Sequence, residues 1–196
     1  MHHAVFEAFA EICRRRGAGG RVLEVGAVPA DDTLLCLPSL EGASVRVGVN
    51  REKGSRHRDF EILRIDANDL SRFADGSFDA VLSNATLEHD PYFWRSLAEM
   101  RRVTRSGGLM VIGVPGYTKS SVAPGLRRVV AGVPCLRRLF SSWLASTPTL
   151  LVHEFPGDYY RFSAQAVREV MFGGCLDVEV LELLVPPRLV GSGRVP

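Results

Sequence analysis

The residues that could do chemistry in this chain fall into two groups. Glu24, Asn50, Asp66 and Asn84 each sit in or just after a short apolar run, and Gly26 follows the first of those runs. Carboxylates and amides placed there can hydrogen-bond a polar ligand. Of the five histidines, His89 and His153 are the candidates to take a proton near neutral pH from a bound molecule. His153 opens the stretch His153-Glu-Phe-Pro-Gly-Asp158-Tyr-Tyr160-Arg161-Phe162, in which Tyr160 and Arg161 could grip an anionic or hydroxylated molecule. Each residue also has a plainer reading. Asp66 could cap a turn, Glu24 could accept from loop N–H groups, and Arg161 could pair with Asp158 to hold the local chain down.

The elements that must position these residues alternate. Val5, Phe6, Phe9 and Ile12 recur at helical spacing. Val22–Val25, Val45–Val49, Phe60–Ile65, Ala80–Ser83 and Leu109–Val114 read as buried strands. Asp31-Asp32-Thr33 is expected to cap a short helix through Leu40. Asp90-Pro91 is expected to start one that runs to about Thr104, with Asp90 as its cap. Farther on, Ser163 caps a helix to Phe172, and strands follow over Leu176–Val185 and from Arg188 onward. Such alternation predicts right-handed crossovers and a mostly parallel sheet with helices on both faces. Ligands on these sheets sit at the carboxyl ends of the strands, where Gly26, Asn50, Asp66 and Asn84 all fall.

The 196 residues suffice for a single domain, read over 1–196, with 46% hydrophobic and 23% charged residues. A formal charge of +2 is too small to argue for nucleic acid. The arginines are bunched at 14–16, 101–102, 127–128 and 137–138, which ordinarily marks solvated helix faces. The four cysteines form no C-x-x-C pair, so no metal site is expected and the thiols suit a reducing cytoplasm. No signal peptide is read, and no apolar run approaches the roughly 20 residues that span a bilayer. Residues 118–152 read as an insert or lid, a basic amphipathic stretch that also suits peripheral contact with an anionic membrane.

Five motifs stand in order: Val22-Leu-Glu-Val-Gly26, Asp66-Ala67, Phe78-Asp79 through Ser83-Asn84-Ala85, Leu87-Glu88-His89, and Arg102-Val103 through Gly107-Gly108. Together they resemble the class I S-adenosylmethionine-dependent methyltransferases, small-molecule branch, over roughly residues 20–116. The resemblance implies an α/β Rossmann-like methyltransferase fold with a mostly parallel seven-stranded sheet. It implies S-adenosyl-L-methionine as cofactor, held by Glu24, Gly26, Ala27, Asn50, Asp66, Ala67, Asn84 and Ala85. Asp66-Ala67 matches the family's adenine-binding pair, and Ser83-Asn84-Ala85 the segment at the methionyl end.

Two positions depart from the family. Its loop after the first strand is usually E/D-x-G-x-G-x-G, but Val28 stands at the second glycine and Pro29 follows. Both resist the positive φ that glycine allows. Asn50 stands where the family carries a carboxylate for the ribose hydroxyls. The expectation is a methyltransferase for a small molecule, with an oxygen on a sugar or secondary metabolite as acceptor and His153 or His89 as base. The alternative is a methyltransferase-like binding or partner subunit without turnover. Nucleic-acid methylation is disfavoured, because Asn84-Ala-Thr-Leu replaces an Asn/Asp-Pro-Pro-aromatic motif.

Overall fold

The central strands of this protein alternate their side chains between two apolar layers, and that alternation builds the sheet. The computed structural model describes residues 1–117, 132–134, 157–184 and 186–196. Val22, Ala80, Leu82 and Val111 face one layer with Val5, Phe9 and Ile12 of α1 (His3–Arg16). Leu23, Val25, Val81, Met110 and Ile112 face the other, with Leu97, Met100 and Val103 of α2 (Phe93–Val103). Period-two alternation with apolar residues at both phases is what a sheet covered on both faces requires.

The strands are β1 (Arg21–Val25), β2 (Val45–Asn50), β3 (Ser55–His57), β4 (Phe60–Arg64), β5 (Phe78–Asn84), β6 (Thr104–Pro115), β7 (Leu176–Leu184) and β8 (Pro187–Arg194). They lie in the order β3-β4-β2-β1-β5-β6-β8-β7. From β4 through β6 the neighbours are parallel. β8 runs antiparallel between β6 and β7.

Among the described residues the sheet has eight strands rather than the expected seven, with β3 as a short antiparallel edge. Ser55-Arg-His57 has no apolar signature, and only its pairing with β4 makes it a strand. Its hairpin turns at Arg58, with φ of 51°. Asp31 holds the turn by accepting from Arg58 Nη2 at 2.8 Å and facing His57 Nε2 at 3.2 Å.

The helix expected over 31–40 is instead a pair of 3-10 turns, Leu34–Cys36 and Pro38–Leu40. Thr33 makes no side-chain cap, because its hydroxyl points to Glu24. Helix α2 begins at Phe93, after Asp90. Asp90 works through a tighter turn, accepting from Tyr92 N–H at 2.8 Å and from the Ser96 hydroxyl at 2.6 Å. Ser163 does cap its helix, accepting from Ala166 N–H; α3 (Ala164–Ala166) continues as a π-helical turn to Met171.

Several of the bunched arginines are clamps rather than solvated faces. Arg15 pairs with Glu179, and Arg16 donates to Asp177 O and Ser192 Oγ, so the end of α1 is tied to β7 and β8. Arg101 donates to the carbonyls of Met171 and Gly173. Among the described residues no helix is long and apolar enough to cross a membrane. His153 and most of the 118–152 insert lie outside the described residues.

Candidate functional site

Chain order reverses across β1 and β5, since β2 and β4 extend to one side and β6 to the other. The carboxyl ends of strands part at such a point and leave a crevice. A cleft of about 310 Å³ lies there, between the ends of β1, β2, β4 and β5. Gly26, Asn50, Asp66, Ala67, Ala85 and His89 are in its wall. Those six residues were expected at the site from sequence.

The floor is set by Gly26 and Thr86. Gly26 has φ of 87°, and a Cβ there would lie 1.9 Å from Thr86 Oγ1. Only glycine meets both demands. The Thr86 hydroxyl sits between the carbonyls of Val25 and Asn84, tying β1 to β5. Ala85, beside it, is held at φ of 52°, a left-handed conformation unusual for a residue with a side chain.

Glu24, Ala27 and Asn84 are not in the wall. Glu24 lies behind the loop, 4% exposed, and accepts from Thr33 Oγ1 at 2.8 Å, Leu35 N at 3.0 Å and Leu34 N at 3.2 Å. Burial pushes its carboxyl up, and these three hydrogen bonds pull it back. Its structural reading is therefore the one the geometry matches: it shapes the loop from beneath. Ala27 is 1% exposed and anchored by its N–H to Val49 O. The carbonyl of Asn84 accepts from Thr86, while its Oδ1 is buried without a hydrogen-bond partner.

Asn50 is in the wall but its amide is spent. Nδ2 donates to Ala27 O at 2.9 Å, and Oδ1 accepts from Glu52 N–H at 2.9 Å. The residue braces the β1 loop against β2 rather than offering an empty acceptor pair. Val28, 47% exposed, supplies an apolar stretch of the same wall. It avoids positive φ, and Gly26 is the only residue of the 26–30 loop that adopts it.

Asp66 accepts at Oδ1 from the backbone and side-chain N–H groups of Asn68. Asn68 Nδ2 also donates to Asp90 Oδ2 at 3.0 Å, and its own Oδ1 is buried without a partner. An acceptor held in a cleft wall with nothing bonded to it is costly unless a ligand supplies the donor. Sequence reasoning missed Arg51, Glu52, Asn68, Thr86 and Asp90 as wall residues. Their positions just past the strand ends were the available signal.

The wall carries Glu52, Asp66 and Asp90 against Arg51, a surplus of carboxylates. S-adenosylmethionine carries a sulfonium and an ammonium against a single carboxylate, so this lining fits it. The glycine floor, which a Cβ would fill, and the orphaned Asn68 oxygen fit it as well. Asp66 and Asn68 would meet the adenine, and Gly26 and Ala85 the methionyl end; the cofactor would supply an activated methyl group.

Tyr160 and Arg161 stand beside the cleft rather than in its wall. The Tyr160 hydroxyl donates to Pro91 O at 2.9 Å, and its ring packs 5.0 Å from Phe93. Arg161 is taken up by a two-pronged pair with Asp158, whose side chain is fully buried. Both were expected to grip an acceptor, and both are spent on the internal frame.

Residues 40–112 match the methyltransferase domain family. An uncharacterized methyltransferase of Mycobacterium avium is 36% identical over 103 residues, which cover 48% of this chain and 39% of that protein. The match thus spans well under half of that relative's length. Among solved structures, the Burkholderia thailandensis 1,6-didemethyltoxoflavin-N1-methyltransferase, with 1,6-didemethyltoxoflavin and S-adenosylhomocysteine bound, superposes with a TM-score of 0.62 at 16% identity, covering 98% of this chain and 78% of that one. The N-methyltransferase NodS of Bradyrhizobium japonicum, bound to S-adenosylhomocysteine, gives 0.61 at 13% identity, covering 98% and 86%. Strand order, motif sequence and these relatives agree on the architecture: the chain has the Rossmann-like fold of class I S-adenosylmethionine-dependent methyltransferases, and residues 40–112 match a methyltransferase domain.

Proposed function

We propose that the protein transfers a methyl group from S-adenosylmethionine to a small molecule, and that the acceptor is an oxygen on a sugar or secondary metabolite. The observation that carries the reading is the acidic cleft at the strand switch, with Gly26 as floor and Asp66–Asn68 as polar wall. Methyl transfer from a sulfonium is an in-line displacement, so the protein's task is to align the acceptor and exclude water. His89 in the wall favours an oxygen acceptor. A hydroxyl must lose its proton, whereas a neutral amine attacks without a base. His153, the other candidate base, lies outside the described residues. A cytoplasmic setting, without nucleic-acid partners, belongs to the same proposal. So does the reading of 118–152 as a lid able to touch an anionic membrane.

Calorimetric titration with S-adenosylhomocysteine tests this first. Micromolar binding, abolished in Asp66→Ala, is the expected result, and a screen of hydroxylated acceptors then follows. A second reading, a binding or partner subunit without turnover, is favoured by Val28 in the wall and by the spent Asn50 amide. Absence of binding at millimolar ligand would select it.

A further inference from the structure

His89 makes a contact that its place in the cleft wall does not require. Its Nδ1 is hydrogen-bonded to the carbonyl of Gly157. A carbonyl oxygen only accepts, so Nδ1 must carry the hydrogen, and in the neutral ring the basic nitrogen is then Nε2. A free imidazole side chain favours the opposite arrangement, with the hydrogen on Nε2.

The carbonyl is itself held in place. Tyr159 N–H donates to Glu88 O at 2.8 Å, one residue before His89. Asp158, with its side chain fully buried, grips Arg161 by both oxygens. The Arg161 guanidinium also donates to Tyr160 O, and the Tyr160 hydroxyl fastens the strap to Pro91 O. At the far end Phe162 N–H donates to Pro115 O, which ties the strap to β6. Glu88 is anchored in turn by Arg188 at 3.0 Å. Residues 157–162 are therefore fastened to the turn bearing His89 from several sides, and the Gly157 carbonyl has little freedom to leave Nδ1.

We propose that this strap is a positioning device that fixes the hydrogen of His89 on Nδ1, leaving Nε2 as the base, with Asp158 and Arg161 as positioning residues acting through the Gly157 carbonyl. The consequence for catalysis rests on the methyl-transfer reading above. There, the hydroxyl proton of the acceptor would pass to Nε2 as its oxygen bonds the methyl carbon and the methyl–sulfur bond breaks, with neutral S-adenosylhomocysteine as the leaving group. The ring keeps its Nδ1–H on the Gly157 carbonyl throughout.

The tautomer can be read without substrate or cofactor, so its failure is distinguishable from failure of the methyltransferase reading. Long-range 1H–15N correlation spectra of the 15N-labelled full chain, assigned with His89→Gln, separate the two neutral forms. The expected spectrum shows His89 with hydrogen on Nδ1 in the unaltered protein and a shift toward the Nε2–H form in Asp158→Asn. Arg161→Lys, which keeps the charge but loses the two-pronged geometry, should fall between them and serves in place of Asp158→Asn if that variant does not fold. An Nε2–H form in the unaltered protein would overturn the proposal. So would an Nδ1–H form that persists unchanged when the Asp158–Arg161 pair is broken.

Discussion

The side-chain amide of Asn50 joins the end of β2 to the carbonyl of Ala27, two strands' ends braced across 2.9 Å. The orientation is fixed by chemistry, since Ala27 O can only accept and Glu52 N–H, on the other end of the amide, can only donate. A carboxylate at this position could not donate to Ala27. The asparagine therefore braces the loop in which Val28 and Pro29 follow Gly26 and Ala27.

It follows that Asn50→Asp, which keeps the size of the side chain and removes the donor, should weaken S-adenosylhomocysteine binding rather than strengthen it. Loss of the donor, with a charge set against a carbonyl, should cost about tenfold in affinity. Calorimetry on the two proteins decides it. Tighter binding by the aspartate variant would show that the brace is dispensable.

Gly26→Ala should destabilise the fold by about 2–3 kcal/mol and abolish cofactor binding, because the added Cβ meets Thr86 Oγ1 and φ is 87°. The double variant with Thr86→Ala should recover part of the stability, since it removes the clash and leaves the φ strain. Urea denaturation of the single and double variants measures this coupling. Strict additivity would mean that the two residues do not meet.

Glu24→Ala should leave the Thr33 hydroxyl and two backbone N–H groups buried without an acceptor. The expected loss is about 3 kcal/mol, and cofactor affinity should fall with it although Glu24 is not in the wall. A variant with unchanged melting temperature would show that water replaces the carboxylate.

Acid should unfold the protein partly through Asp79 and Glu99. The Arg21 backbone N–H and the Arg105 guanidinium hold the Asp79 carboxyl below its ordinary value of 3.8. The Arg102 guanidinium chiefly holds Glu99 below 4.5. A depressed carboxyl stabilises the fold above its unfolded value, and that stability is lost as pH falls through the folded value. Urea midpoints should be flat from neutral pH down to about 5 and drop below 4. Asp79→Asn should start lower and show a shallower drop; an equal drop would clear Asp79 of the effect.

The sequence by itself determined the order of elements, the parallel sheet and the ends where the cleft would open. Those features follow from local apolar runs and from turn residues such as Ala74-Asp-Gly-Ser77, whose signals lie within a few positions of one another. It also placed Gly26, Asn50 and Asp66 at one site, because each stands at or just past the end of a strand whose neighbours the alternation implies. The tertiary structure decided what each side chain does there. Glu24 and Asn50 turned from ligand contacts into braces because partners 9 and 23 residues away in the chain, Thr33 and Ala27, meet them across the loop. Arg161 was taken by Asp158, and His89 by a carbonyl 68 residues away. Hydrogen-bond capacity is a property of residue type, but which partner fills it depends on distances that only the folded sheet sets.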